Sequence, residues 1–153
     1  MIYWVVRALL QRVREAAVET DDRVLGRIDR GLLILLGVAA GDRPEDGRYL
    51  AEKILHLRIF DDEHGRLNRS VLETGGGVLL VSQFTLLADC RRGRRPDFLQ
   101  AARPEEARPL YDQVAGWLRE GGASVQEGLF GERMLVRIAN DGPVTILLDS
   151  RER

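Results

Sequence analysis

Residues 82–85 read Ser-Gln-Phe-Thr and place three hydrogen-bonding side chains and an aromatic ring directly after an apolar run. In a continuing strand, Ser82 and Phe84 would face one side and Gln83 and Thr85 the other. Thr85 is a candidate nucleophile, but no motif ties a histidine or the single cysteine to it as a base. A strand end with local side-chain-to-backbone bonds explains the same residues, and composition favours that interpretation.

The second unusual stretch is "NDGPVT" at residues 140–145, which lies between two apolar runs. Asn140, an aspartate and Gly142 are common turn residues, so the pattern predicts a hairpin turn. Pro143 is unexpected there, because it locks one backbone torsion and removes an N–H donor.

Four arginines flank Gly93 in a short polar segment, where planar guanidinium groups could bind phosphate oxygens in pairs. A solvated loop paired to nearby acids is an equal alternative at this point. The four residues are Arg91, Arg92, Arg94 and Arg95.

Composition excludes several other functions. The chain has 153 residues, 44% of them hydrophobic and 31% charged, with a net charge of −1, as in one ordinary globular domain spanning residues 1–153. One cysteine and two histidines allow no internal disulfide and make a zinc site improbable, so we expect no metal or cofactor. The apolar run Leu32–Ala40 is too short to span a bilayer, and we expect a cytoplasmic protein with no membrane or DNA partner.

Hydrophobic patterning predicts a mixed α/β (α+β) fold with layered sheets and two main helices on one side. One helix begins with Asp42 as N-cap and Glu45 completing a capping box, and it ends at His56. The other covers Pro104–Glu120. A second layer or a dimer partner is needed to cover the remaining sheet. Strands are predicted at Val5–Val13, Ala17–Glu19, Arg23–Ile28, Leu32–Val38, Gly77–Asp89, Ser124–Glu127, Met134–Ala139 and Val144–Asp149, the Leu32–Val38 strand being buried on both faces.

"SQFTL" at residues 82–86 and "NDGPVT" together resemble the two signature motifs of the D-aminoacyl-tRNA deacylase family. The resemblance covers nearly the whole chain from Arg7 onward. The first five residues depart from the family pattern, and one hypothesis is that translation begins at Val6. Further segments resemble the family in the same order: "QRV", "GLLILLGV", "AEKILHLRIFDDEHGRLN", "ADCRRGRRPDF" and "FGERM".

The resemblance implies a homodimer with a mixed α/β fold and active sites at the dimer interface. It implies hydrolysis of the ester between a D-amino acid and the tRNA 3′ end, with glycyl-tRNA as a further substrate, as a step of translation quality control. Such an activated ester needs only a positioned water and oxyanion donors. We favour main-chain donors around Ser82–Thr85, assisted by Gln83, with Thr85 shaping the site.

The resemblance also implies roles outside "SQFTL". Phe130 would stack on the terminal adenine and Met134 would line the pocket, while the arginine run is our candidate for the acceptor-stem phosphates. A cis Gly142–Pro143 unit would reach into the partner's site as a wall against L-amino acids, with Arg12 bracing it. A non-catalytic RNA-binding module and a small-ester hydrolase are the alternatives.

Overall fold

The computed structural model describes residues 6–153, and the start-site hypothesis concerns residues that lie outside this range. Eight strands, three α-helices and one 3-10 helix follow one another along this part of the chain. Their bounds are β1 Arg7–Glu19, β2 Val24–Ile28, β3 Gly31–Gly37, α1 Pro44–His56, β4 Phe60–Asp61, β5 Leu67–Arg69, α2 Val71–Thr74, β6 Gly77–Ser82, the 3-10 helix Phe84–Leu87, α3 Pro104–Glu120, β7 Ser124–Glu127 and β8 Leu135–Asp149.

Strand β1 organises the main sheet. It pairs antiparallel with β2 and β3 and, along its whole length, with β8. Strand β6 lies parallel to β3, and β7 lies parallel to β6, which completes six strands among the described residues. Strands β4 and β5 form a separate two-stranded sheet. The fold is therefore mixed α+β with more than one sheet, as predicted.

Two hydrophobic cores lie on opposite faces of β3. Leu32 and Ile34 belong to the larger core, which also holds the apolar faces of α1 and α3, whereas Leu33 belongs to the smaller core. All three side chains are fully buried. The prediction of a strand buried on both faces is confirmed, because a non-alternating apolar run fits only such an environment. The predicted bounds of α3 are also confirmed.

The prediction that Asp42 caps α1 is wrong. Its carboxylate accepts a hydrogen bond from the N–H of Ala39 at 2.6 Å and so stabilises the preceding turn. Arg43 is the N-cap, and its N–H donates to the carboxylate of Asp46 at 2.9 Å, a role that we had predicted for Glu45 one residue earlier. The sequence offers two adjacent carboxylates, Glu45 and Asp46, for the capping box. The preceding turn moves the N-cap to Arg43, so the helix uses Asp46.

The predicted C-terminal hairpin is wrong as well. Residues 135–140 and 145–149 both pair antiparallel with β1, so the chain does not reverse direction at "NDGPVT". Gln11 pairs with Thr145 and Val13 with Asn140, which leaves residues 141–144 opposite Arg12 alone. The segment is therefore a bulge within one long strand, and the turn residues let it leave the sheet and return. We call residues 141–144 the Gly-Pro bulge.

Among the described residues, no helix combines the length and the apolar character that a membrane crossing requires.

Candidate active site

Strand β6 ends at Ser82, and the chain then bends into the 3-10 helix, so the predicted continuation of the strand to Asp89 is wrong. Gly37 permits the bend. A Cβ at this position would lie 2.9 Å from the carbonyl oxygen of Gln83 and 2.6 Å from Leu87, closer than real Cβ contacts. The main chain of Gln83 therefore packs against the end of β3, and the predicted alternation of side chains does not hold beyond Ser82.

The first turn of the 3-10 helix supplies main-chain donors. Its hydrogen bonds begin with the N–H of Leu86, which donates to the carbonyl of Gln83 at 3.2 Å. The N–H groups of Phe84 and Thr85 precede that bond, and no side chain of the described residues caps this end of the helix. Orphan N–H groups at a helix start can stabilise a developing negative charge.

The side chains of the motif form a local pair. The amide of Gln83 hydrogen-bonds to the hydroxyl of Thr85. Phe84 and Thr85 are exposed, and none of the described residues lining the adjacent cleft is a histidine or a cysteine. Among the described residues, the hydroxyl of Thr85 hydrogen-bonds to Gln83 and to no general base, and the one carboxylate that lines the cleft, that of Glu132, makes no hydrogen bond to it. This arrangement agrees with a shaping role better than with a nucleophilic one.

The cleft beside the 3-10 helix has a volume of about 830 Å³ and brings together residues 82–85, Phe130 and Met134. It also contains Phe98, which the sequence reasoning did not assign to the site. The ring of Phe98 meets that of Phe84 edge to face, with 5.0 Å between their centres. The only hint in the sequence was its place at the end of the arginine segment, where an aromatic ring follows a run of polar residues.

Phe130 is held at the cleft by the core. Its ring lies 5.6 Å from that of Tyr111, whose hydroxyl donates to the carbonyl of Leu80 in β6 at 3.1 Å. Burial, together with the nearby Glu127, raises the pKa of Tyr111, so the phenol stays protonated and keeps donating. Phe130 is thereby connected to the strand that leads into residues 82–85.

Met134 is positioned by the loop that precedes it. Its sulfur accepts a hydrogen bond from the N–H of Leu129 at 3.3 Å. A Cβ at Gly128 would lie 2.7 Å from the same sulfur, so glycine leaves the space that Met134 fills. Met134 lines the cleft together with Phe130.

The arginine segment closes on itself through two acidic residues. Asp89 and Asp97 form a main-chain bridge, and the carboxylate of Asp89 accepts two hydrogen bonds from the guanidinium of Arg91, at 2.9 and 2.6 Å. The side-chain and main-chain hydrogen bonds from Arg91 lower the pKa of Asp89 to about 2. Arg91 is thus partly neutralised, whereas Arg94 and Arg95 form no ion pair with a described residue.

The Gly-Pro bulge is tied to the buried side chain of Arg12. Arg12 donates to the carbonyl of Asp141 at 3.3 Å and to that of Ile59 at 3.1 Å, and it forms ion pairs with Asp141 and Asp61. Gly142 has φ of 118°, and the Gly142–Pro143 peptide is cis. The bulge therefore rests on a charged side chain that is only 6% exposed.

Asn140 closes the base of the bulge. Its side-chain amide donates to the carbonyls of Arg12 at 2.9 Å and Val144 at 3.1 Å. Its side-chain oxygen accepts from the hydroxyl of Thr145 at 3.2 Å. One side chain thus connects both ends of the bulge to β1.

The two motifs are not brought together within one chain. Ser82 pairs with Leu36, and Leu36 with Ala8, whereas the bulge lies opposite Arg12, four residues further along β1. With strands about 4.8 Å apart and a rise of about 3.3 Å per residue, three strand spacings and four residues separate the motifs by roughly 20 Å. No residue of the bulge lines the cleft.

The chain is a mixed α+β protein with a cleft lined by the start of the 3-10 helix and by aromatic rings. A family model described as D-Tyr-tRNA(Tyr) deacylase matches residues 9–149. A D-aminoacyl-tRNA deacylase of Thermus aquaticus is 53% identical over 97% of this chain and 97% of its own. One of Roseiflexus sp. (strain RS-1) is 59% identical over 95% and 94%. The chain therefore belongs to the D-Tyr-tRNA(Tyr) deacylase family, a family of hydrolases.

Two solved structures share the fold. The c-Myc DNA Unwinding Element Binding Protein superposes with a TM-score of 0.88 at 38% identity, covering 93% of this chain and 97% of that one. A probable eukaryotic D-amino acid tRNA deacylase gives 0.82 at 22% identity, covering 95% and 99%, and indicates the fold alone.

Proposed function

We propose that this protein hydrolyses the ester bond of D-aminoacyl-tRNA and releases the D-amino acid and free tRNA. Membership of a deacylase family supports the reaction class. The observation that carries the proposal is the cleft, which is lined by Phe84 and Thr85, at the uncapped start of the 3-10 helix, together with Phe130 and Met134. Hydrolysis of D-tyrosyl-tRNA, measured beside D-tyrosine ethyl ester, tests it, because a small-ester hydrolase would cleave both.

The reaction needs a water molecule and an oxyanion site. Water attacks the ester carbonyl carbon, a C–O bond forms, and the negative charge on the former carbonyl oxygen is stabilised by the N–H groups of Phe84 and Thr85. The bond to the ribose oxygen then breaks, and the proton that water loses goes to that oxygen. The neighbouring ribose hydroxyl organises the water, and the amide of Gln83 assists.

The cleft also suits the end of a nucleic acid strand. The half-buried ring of Phe130, which lines the cleft, provides a platform for the terminal adenine, an interaction worth about 1–3 kcal/mol per base. Met134 fills the adjoining space, and Arg94 and Arg95 are free to contact phosphate groups. The same cleft accepts glycyl-tRNA, because glycine has no side chain for a wall to exclude.

Stereoselectivity requires a second copy of the chain. The motifs lie roughly 20 Å apart in one chain by strand geometry, so the bulge that excludes L side chains must come from a partner. Strand β8, which carries the bulge, exposes Leu135, Ile138 and Leu147 by 53%, 42% and 55%. An exposed apolar edge strand favours a homodimer. In the dimer, the main chain at Gly142–Pro143 excludes L-amino acids and accepts D-amino acids regardless of their side chain.

Replacing Thr85 by alanine or valine is expected to leave kcat/KM for D-tyrosyl-tRNA within about threefold of wild type. Removing a true nucleophile costs about 10⁴-fold or more, so the two roles separate widely. Valine keeps the shape of threonine and controls for packing. Loss of all activity in both variants, with unchanged melting temperature and tRNA binding, would make Thr85 the nucleophile after all.

Replacing both Arg94 and Arg95 by alanine is expected to raise KM and leave kcat unchanged. Each lost phosphate contact lowers the slope of log affinity against log salt by about 0.7–0.9, so the pair should lower it by roughly 1.5. Arg23→Ala with Arg30→Ala is the control, because it removes the same charge at exposed turns beside β2. An equal salt slope in both double variants would count against the arginine loop as the phosphate site.

A non-catalytic nucleic-acid-binding protein is the competing function. The name of one structural relative refers to DNA binding, and the arginine loop and Phe130 would serve such a protein equally well. That function gives no role to the free N–H groups of Phe84 and Thr85 or to the bulge. Tight binding of tRNA or a DNA hairpin without hydrolysis would favour it.

A further inference from the structure

Arg7 links the first strand to the 3-10 helix of the site. Its guanidinium donates to the carbonyl oxygen of Leu86 at 3.0 Å, across a sequence separation of 79 residues. Leu86 lies within the 3-10 helix, and its N–H makes the first hydrogen bond of that helix. Among the described residues, Arg7 is the one charged residue whose side chain donates a hydrogen bond to the 3-10 helix.

The position of Arg7 in the sheet explains how it reaches the helix. Arg7 pairs with Gly37 on β3 and with Asp149 on β8, so all three residues lie on one rung of the sheet. Residues directly opposite each other in antiparallel strands share a face. Gly37 has no side chain on that face, and the 3-10 helix occupies the vacant space. The long side chain of Arg7 lies beside this space.

Asp149 forms an ion pair with the guanidinium. Its carboxylate lies 3.6 Å from Nε of Arg7 and is only 8% exposed. Burial alone would raise the pKa of Asp149, but hydrogen bonds from Arg151 and the charges of Arg151 and Arg7 keep it below its usual value. The carboxylate is therefore ionised at neutral pH and attracts the charge of Arg7.

We propose that Arg7 is a positioning residue for ester hydrolysis: with Asp149 it fixes the carbonyl of Leu86, and through it the orientation of the N–H groups of Phe84 and Thr85. The inference rests on the proposed function, since it assigns those N–H groups to the oxyanion. The 3-10 helix has only four residues and cannot hold its own orientation, so an anchor at its far end sets the direction of its first turn.

Kinetics of Arg7→Met test the proposal. We expect kcat for D-tyrosyl-tRNA to fall about tenfold with KM within about twofold, because misdirected donors weaken the transition state and not substrate binding. Arg7→Lys, which keeps one charged donor, should recover kcat to within about threefold of wild type. Asp149→Asn should lower kcat, and the double variant Arg7→Met with Asp149→Asn should fall no further than Arg7→Met alone.

Arg119→Gln is the matched control. Arg119 also donates to a main-chain carbonyl, that of Val125 at 3.1 Å, and to a carboxylate, that of Glu127 at 2.8 Å, but it lies at the far end of α3. Its kcat should stay at the wild-type value. A lower melting temperature with unchanged kcat in Arg7→Met, or an equal loss of kcat in Arg119→Gln, would overturn the proposal.

Amide hydrogen exchange tests the anchor without relying on activity. Exchange of the N–H groups of Leu86 and Ala88 should become at least about tenfold faster in Arg7→Met and stay unchanged in Arg119→Gln, because these groups make the hydrogen bonds of the 3-10 helix. Equal protection in wild type and Arg7→Met would overturn the anchor. A wild-type enzyme that is inactive on D-tyrosyl-tRNA would instead contradict the proposed function.

Discussion

Replacing Gly142 by alanine is expected to lower kcat/KM for D-tyrosyl-tRNA by about 10²-fold, the usual cost of moving a positioning group by about 1 Å. The added Cβ would lie 3.0 Å from the guanidinium of Arg12 and 2.9 Å from the side chain of Val144. Glycine also accommodates φ of 118°, which side chains rarely adopt. The bulge must therefore shift, and we expect the ratio of D to L hydrolysis to fall at least about tenfold.

Gly65→Ala is the matched control for this change. Gly65 has φ of 73°, and an added Cβ there meets nothing within 4 Å. It introduces a side chain at positive φ in the turn between β4 and β5 without touching the site. Its kcat/KM and its D-to-L ratio should equal those of wild type. Unchanged rates of hydrolysis of both D-tyrosyl-tRNA and L-tyrosyl-tRNA by Gly142→Ala would show that the bulge has no role in the mechanism.

Replacing Arg12 by glutamine is expected to lower the free energy of unfolding by about 2 kcal/mol and the D-to-L ratio by about tenfold. Breaking a fully buried ion pair costs about 3–5 kcal/mol, but Asp61 and Asp141 keep contact with water, which reduces the cost. The ratio falls because Arg12 holds the carbonyl of Asp141, next to the wall. Urea unfolding and kinetics with both substrates measure the two effects.

Arg14→Gln is the control that distinguishes the buried contact of Arg12 with the bulge from a general effect of positive charge near Asp141. Arg14 lies 3.6 Å from the same carboxylate of Asp141, but its side chain is 73% exposed. Exposed ion pairs contribute about 0–1 kcal/mol, so stability should change little and selectivity should not change. Equal losses in Arg12→Gln and Arg14→Gln would show that charge near Asp141, and not the buried brace, is what matters.

The buried strand and the two main helices were predictable because their residues carry local signals. The run around Leu32–Ile34 cannot be exposed on either face, and the apolar stripe of α3 begins at a proline and ends at glycine. Each signal is contained in a few neighbouring residues. The segments they describe therefore match the structure closely.

The site was less predictable because its geometry depends on distant pairing. Asn140 to Pro143 has the composition of a turn, and only the pairing of both flanks with β1 makes it a bulge. The 3-10 helix likewise depends on Gly37, which lies 47 residues before Phe84 and carries no local signal of that contact. The motifs were thus enough to nominate the candidate site residues, whereas the backbone conformation of those residues depends on the pairing of the sheet.

The relation between the two motifs was expected only from the family resemblance, because no local pattern of residues indicates it. Within one chain the sheet places the Gly-Pro bulge and Ser82 on different strands, and no residue of the bulge lines the cleft. The proposed dimer connects them, and it gives a reason for the exposed apolar residues of β8. Sedimentation of the wild-type protein should show a dimer, and a monomer that retains D-selectivity would contradict this arrangement.

D-selective hydrolysis of aminoacyl-tRNA is tested most directly by single-turnover kinetics. The measurement is the release of tyrosine from D-tyrosyl-tRNA and from L-tyrosyl-tRNA at micromolar enzyme. The D ester should be cleaved at least about 10²-fold faster than the L ester, since a main-chain wall excludes one hand sterically. Equal rates for the two esters, or no release from the D ester, would contradict it.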